Sequence, residues 1–309
     1  MERLILLGAG ASYGSEPQGE PTPPLGANLF ERLAARPGIA SSLPEKTKNQ
    51  FQDFEQGMAK FAAEHSGDIQ QFQRELAYYL AEFLPSDKSL YHKLLSLFAR
   101  EKTVYASLNY DMLLEESMEA KGYHPHYGVE HFYKHIRVLK PHGSANFWPY
   151  MPGFKYKGLK FIGDMVALDA HIKPRLRSET LRLCREDDSF SPAMSLYAKG
   201  KAVKTCPAFV SEQQRLFADI CSSVSEIYVI GVKVVPEDHH IWKPLSESAA
   251  QLTYFGRSSK ESELFGGPSD ESEFFTWIES SGRSKATFVD GYFEKALTHM
   301  EEKLSKHDH

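Results

Sequence analysis

The sequence predicts an α/β protein: an open, doubly wound, mostly parallel sheet with a smaller helical or irregular module inserted in it. Three observations carry this. Short apolar runs, each ended by glycine or polar residues, recur along the chain, amphipathic helical stretches separate them, and one segment, 145–205, breaks the alternation. Size and composition suit such a domain. At 309 residues the chain is near the length at which one core stops growing, and 41% hydrophobic with 25% charged residues excludes disordered, collagen-like and disulfide-scaffold classes.

The first strand is Arg-Leu-Ile-Leu-Leu at 3–7, a continuous apolar run of the kind buried on both faces of a parallel sheet. A glycine-rich turn, Gly8-Ala9-Gly10-Ala11-Ser12-Tyr13-Gly14, follows it directly. A helical stretch begins at Leu25, and Phe51, Phe54, Met58 and Phe61 mark a further helix. Ile69, Phe72, Leu76, Leu80 and Phe83 recur at steps of three and four, with Asp68 as N-cap and Gln71 three residues on, which predicts a helix over 68–84. Leu90, Leu94 and Leu97 give another, ahead of a strand in which Val104, Ala106 and Leu108 alternate. Ile136, Val138 and Leu139 form a strand before Lys140-Pro141-His142-Gly143. In 145–205 aromatic residues with Gly and Pro come first (Phe147, Trp148, Tyr150, Phe154, Tyr156), then the basic residues Lys173, Arg175, Arg177, Arg182 and Arg185, so this stretch is read as the inserted module. A helix around 213–224 leads to a strand at 227–230 and Gly231, and a last strand at 286–289 to Asp290-Gly291. The expected organisation is a discontinuous main domain, 1–144 and 206–300, a module at 145–205 and a frayed tail at 301–309.

Net charge is −5, without the excess of Lys and Arg that would steer the molecule to nucleic acid. Three well-separated cysteines, Cys184, Cys206 and Cys221, suit a reducing compartment and offer no Cys-x-x-Cys pair for zinc. With no apolar run of about 18 residues and no signal peptide, a cytoplasmic protein without a membrane partner is expected. His124, His126, His131 and His135 cluster, the last two at a spacing of four, but no Cys and no His-Glu-x-x-His pattern accompanies them. The expectation is a histidine-rich loop and no metal. The basic cluster of the module reads as a solvated helix face, and the cysteines as buried packing.

The chemistry-bearing residues stand where strands end, the ligand side of open α/β sheets. The glycine-rich turn has two readings, a loop whose glycines bring backbone amides close to a phosphate or an ordinary tight β–α turn. It is one residue longer than Gly-x-Gly-x-x-Gly, and the acid that would hold a ribose, Glu31, falls inside a helical stretch. That argues against a dehydrogenase. Asn109 and Asp111, two residues apart at a strand end, serve either a site or the capping of a turn or helix. His142, just before Gly143, is either a general base in a cleft or a structural histidine.

Taken in order, Gly8-Ala9-Gly10-Ala11-Ser12 with Pro21-Thr22-Pro23, Asn109-Tyr110-Asp111, His142-Gly143-Ser144, and Ile230-Gly231 followed by Pro236-Glu237-Asp238-His239 resemble the sirtuin superfamily, especially its bacterial branch associated with defence against phages. The resemblance implies a Rossmann-like NAD-binding domain. It implies that Gly8, Ala9, Gly10 and Ser12, with Thr22, contact NAD, that Asn109 and His142 are catalytic, that Asp111 orients the nicotinamide end or supports its loop, and that Gly231 and Asp238 line the adenosine side. Three departures matter. The two Cys-x-x-Cys pairs of the deacylating members are missing, Leu108 stands where they carry Gln, and Gly231-Val232-Lys233 replaces Gly-Thr-Ser. These departures favour the branch that hydrolyses NAD to nicotinamide and ADP-ribose, here as an anti-phage effector that depletes NAD. Such an enzyme needs restraint, hence an expected homo-oligomer, a partner protein or a phage-derived trigger. The alternatives are an NAD-dependent protein deacylase or ADP-ribosyltransferase, and a catalytically silent NAD or ADP-ribose sensor acting through a partner.

Overall fold

The first apolar run becomes the centre of the sheet. In the computed structural model, which describes residues 2–52, 54–64, 68–98, 102–130, 133–153, 169–187, 189–195, 205–259 and 269–307, strand β1 (Arg3–Leu7) is buried along its whole length. After it come α1 (Ala9–Tyr13), α2 (Gly26–Ala34), α3 (Ile39–Ser42), α4 (Glu45–Lys48), α5 (Phe54–Glu64), α6 (Ile69–Ala81) and α7 (Leu90–Phe98). Next are β2 (Thr103–Ser107), α8 (Leu113–Ala120), β3 (His124–His126), β4 (His135–Leu139), β5 (Phe147–Tyr150), β6 (His171–Pro174) and α9 (Arg177–Glu186). The chain closes with α10 (Pro207–Ser223), β7 (Glu226–Ile230), α11 (His239–Glu247), β8 (Gln251–Gly256), α12 (Asp270–Ser281), β9 (Ala286–Asp290) and α13 (Phe293–His307).

Seven strands form one sheet in the order β3-β4-β2-β1-β7-β8-β9, and every pairing in it is parallel. Alternate residues of the central strands face opposite sides, as the period of two requires. Ile5, Leu7, Tyr105, Tyr228 and Ile230 pack with α7, α8 and α13, while Leu4, Leu6, Val104, Ala106, Ile227 and Val229 pack with α10, α11 and α12. This is the doubly wound α/β fold the sequence predicts.

A third hydrophobic cluster joins Leu29, Phe30 and Leu33 of α2, Phe54, Met58 and Phe61 of α5, and Phe72, Leu76 and Leu80 of α6 to Trp148, Cys184 and Met194. Phe30 stacks on Phe51 at 3.9 Å between ring centroids. The helical stretch after the glycine turn, 26–81, therefore shares a core with the second segment, and the second layer is built from two pieces of chain. A contact that spans them closes α6: Arg177 donates through Nε to the Ala81 carbonyl at 2.7 Å and through Nη2 to that of Glu82 at 2.9 Å. These are orphan acceptors of a helix end, so the helix stops short of the predicted residue 84.

Two further differences concern the chain ends of the sheet. The expected tail is helical to His307, held by an ion pair of Lys303 with Glu226 and by Leu304 against the core. The histidine-rich stretch is an edge strand, with His124 paired across from His135. No group of three metal-ligating side chains occurs among the described residues. His131, Phe154 and Tyr156 lie outside them. Among the described residues no helix is long and apolar enough to cross a membrane.

Candidate active site

β1 leads on to β2 on one side of the sheet and β7 to β8 on the other, so the strand order reverses between β1 and β7 and their following loops diverge into a crevice. The glycines of the two loops meet there. Gly8 N donates to the Ile230 carbonyl at 3.0 Å and Gly10 N to that of Gly231 at 2.9 Å. A Cβ on Gly8 would lie 2.4 Å from the Gly231 oxygen, and one on Gly231 would lie 2.1 Å from the Ala11 nitrogen. The first use of these glycines is thus backbone against backbone, and two amides expected to face a phosphate are engaged by β7 and its loop. Gly231 also has φ +63°, a left-handed conformation that disfavours a side chain. Gly231→Ala is expected to destabilise the protein by about 3 kcal/mol or more, clash and strain together, measured by urea denaturation. Gly122→Ala, equally left-handed at φ +75° with nothing within 4 Å of its Cβ, should cost only about 1–2 kcal/mol.

The loop after β2 carries Asn109 and Asp111. Asn109 Nδ2 donates to the Gly8 carbonyl at 2.8 Å and to Ser12 Oγ at 2.9 Å, which binds this loop to the glycine turn. Ser12 is fully buried, and its hydroxyl lies 2.9 Å from that of Tyr91 on α7. The Ser12 hydroxyl thus ties the glycine turn to α7, and the residue also borders the cleft. Asp111 accepts from Leu113 N at 3.1 Å through Oδ1, so it caps α8 while lining the cleft. Burial pushes its carboxyl above the usual carboxylate range, opposed by the Lys140 ammonium and a hydrogen bond from Ser12. Behind it Lys140 is wholly buried; its Nζ donates to the Asp111 carbonyl at 3.0 Å and pairs with Glu115 Oε1 at 3.1 Å.

The loop after β4 carries His142. Its shape is set from outside: Ser195 N donates to the His142 carbonyl at 2.8 Å and Ser144 N to that of Ala193 at 3.0 Å. Gly143, at φ +80°, passes so close that a Cβ would fall 2.0 Å from the Ala193 oxygen. The strap 189–195 is tied in turn to α6, where Gln73 Nε2 donates to the Met194 carbonyl at 3.1 Å. His142 Nε2 lies 3.8 Å from Asp238 Oδ2, and its ring meets that of His240 edge to face, with centroids 5.1 Å apart. Asp238 thus stands beside the imidazole and lines the same cleft as Gly231.

These loops enclose a cleft of about 700 Å³, within the ~300–1,000 Å³ usual for ligand sites. It is lined from the carboxyl ends of β1, β2, β4, β7, β8 and β9, through Gly8, Asn109, His142, Gly231, Arg257 and Tyr292. Ala9, Gly10, Ser12, Asp111 and Asp238 line it as well. Thr22 does not: it borders a separate hollow of about 430 Å³ with Tyr13, Arg32 and Tyr79. Glu31 is exposed on α2. The opposite wall was not visible in the sequence. Leu25, Leu29, Phe54 and Leu80 come from the helical layer, Tyr254 from β8, Arg257 from just beyond that strand, and Asp270 and Glu273 from the first turn of α12. The Asp270 carboxylate accepts from Arg257 N at 2.7 Å, and burial raises Glu273, with nearby Lys233 opposing. The apolar Leu252, Tyr254 and Phe255 ahead of Arg257 were the available signal for this side.

Fold and site together define an open parallel α/β protein with a polar-rimmed cleft at its strand reversal. No family model matches the chain, and no curated protein matches its sequence. Among solved structures the chain is similar to one from work on the structural basis of sirtuin substrate affinity, at 15% identity over 82% of each chain with a TM-score of 0.42. It is similar also to a Sir2 homologue solved as a mutant with ADP ribose, at 13% identity over 98% of this chain and 93% of that one, TM-score 0.45. A multiple mutant of Sir2 homologues with 2′-O-acetyl ADP ribose gives 12% identity over the same shares, TM-score 0.44.

Proposed function

We propose that the protein hydrolyses NAD to nicotinamide and ADP-ribose in this cleft. The observation that carries the reading is that Asn109, Asp111 and His142, from the ends of two different strands, line one cleft with the glycine turn. On this reading the nicotinamide ribose lies by Asn109 and His142, and the rest of the dinucleotide runs past Gly231 toward Arg257. Cleavage breaks the bond from C1′ of the ribose to the pyridinium nitrogen, whose electron pair leaves with neutral nicotinamide, while a water oxygen bonds to C1′. No proton need be given to the leaving group, in contrast to ordinary glycosidases. His142 accepts the proton that the water, or a ribose hydroxyl, gives up. Asp238 beside it favours the imidazolium that results. Asn109 orients the hydroxyl or the water, and the apolar wall of Leu25, Leu29 and Phe54 limits the return of bulk solvent.

The experiment is to incubate the purified protein with NAD and follow nicotinamide and ADP-ribose by chromatography. Release of both in equal amounts, without an acylated peptide, is expected. Release that requires acyl-lysine would mean deacylation, and nucleotide binding with no release, with and without phage lysate, would mean a sensor. We infer further, from the toxicity of unrestrained NAD loss, that a defence role would come with a trigger or partner; addition of phage lysate to the same assay tests it by a rise in rate.

A further inference from the structure

We propose that Tyr91, on α7 and outside the loops of the cleft, is a positioning residue: through Ser12 it holds the Asn109 carboxamide with its oxygen turned to the cleft, where Asn109 then acts as a hydrogen-bond acceptor. This role rests on the reading of the cleft as an NAD-hydrolysing site. The orientation follows from donor and acceptor inventory. A carbonyl oxygen only accepts, so the Asn109 atom 2.8 Å from the Gly8 oxygen is the nitrogen. The same nitrogen lies 2.9 Å from Ser12 Oγ, which uses its second N–H. Among the described residues no donor meets Oδ1, and Asn109 lines the cleft.

Ser12 decides whether that lock holds. Its hydroxyl has one proton and two lone pairs. Asn109 donates to one lone pair, and the Tyr91 hydroxyl lies 2.9 Å away on the other side of the oxygen. Whichever hydroxyl gives the proton, this bond fixes the rotation of the serine and keeps its oxygen turned to Asn109. Ser12 is 0% and Tyr91 1% exposed, so bulk solvent does not compete for these positions. Without the phenol the serine is free to turn its oxygen from Asn109, and the carboxamide can reverse and present a donor where a water or ribose O–H must donate.

Tyr91→Phe tests this while keeping the ring that packs edge-on against Phe293 at 5.1 Å. The kcat for nicotinamide release is expected to fall about 3- to 10-fold, the effect of one neutral hydrogen bond, with KM for NAD unchanged and the thermal midpoint lowered by only a few degrees. In the nucleotide-free protein, the Asn109 side-chain NH₂ protons, followed by NMR, should exchange with solvent faster than in wild type. Ser12→Ala should reproduce both effects and serves if Tyr91→Phe does not fold. An unchanged kcat, or a loss confined to KM, overturns the proposal. If wild type releases no nicotinamide, the hydrolysis reading of the cleft fails by itself, and amide exchange then decides: faster in Tyr91→Phe upholds the positioning of Asn109, unchanged overturns it.

Discussion

Replacing His142 with alanine is expected to lower nicotinamide release by about 100-fold or more, the usual worth of a positioned general base, while NAD affinity and the denaturation midpoint stay close to wild type. The fold should survive for a specific reason. The loop is shaped by main-chain contacts, Ser195 N to the His142 carbonyl and Ser144 N to that of Ala193, and by Gly143 against Ala193, none of which uses the imidazole. What the substitution removes is a ring in the cleft, 3.8 Å from Asp238. Asn109→Ala is a poorer probe of chemistry, because it also deletes the bonds to Gly8 and Ser12 that join two loops. Rates from single turnovers, with binding measured separately by calorimetry, separate the step from the affinity. A His142→Ala protein as active as wild type would remove His142 from the reaction.

The sheet was legible because its strands are locally explicit. Leu4 to Leu7 or Ile227 to Ile230 are too short and too apolar to be anything but buried strands, and the polar residues after them had to fall on one edge of a parallel sheet. β8 is less explicit because Thr253 and Gln251 dilute its apolar run, and its burial comes from lying between β7 and β9. The extent of the helical layer is hidden for a similar reason. Phe30, Phe51 and Phe72 announce amphipathic helices, but that their partners are Trp148 and Cys184, more than seventy residues on, is a long-range fact that periodicity does not contain. Within the site, residue types were readable and their duties were not. Gly8 and Gly10 are glycines because Gly231 lies against them, and the Ser12 hydroxyl accepts from Asn109; both follow from contacts between loops far apart in sequence.

Glu115→Ala should be among the most damaging single changes outside the cleft, costing about 3–5 kcal/mol, since it strands the Lys140 ammonium in a dry interior. Lys140 is 0% and Glu115 2% exposed, with 3.1 Å between Nζ and Oε1. Lys140→Met is expected to cost a similar amount by leaving the carboxylate, among the described residues, with only the Tyr127 hydroxyl at 3.4 Å to answer it. Because a buried pair returns little more than its own desolvation, Lys140→Met with Glu115→Leu should regain most of the lost stability, read as the urea midpoint. Activity should not return with it. Lys140 stands two residues before His142 and donates to the carbonyl of Asp111, so the ammonium is the strut that sets the β4 loop against the β2 loop. A double variant that is stable yet slow in nicotinamide release would show that this pair is kept for registering the loops and not for net stability, whereas full activity would reduce it to a replaceable filling of the core.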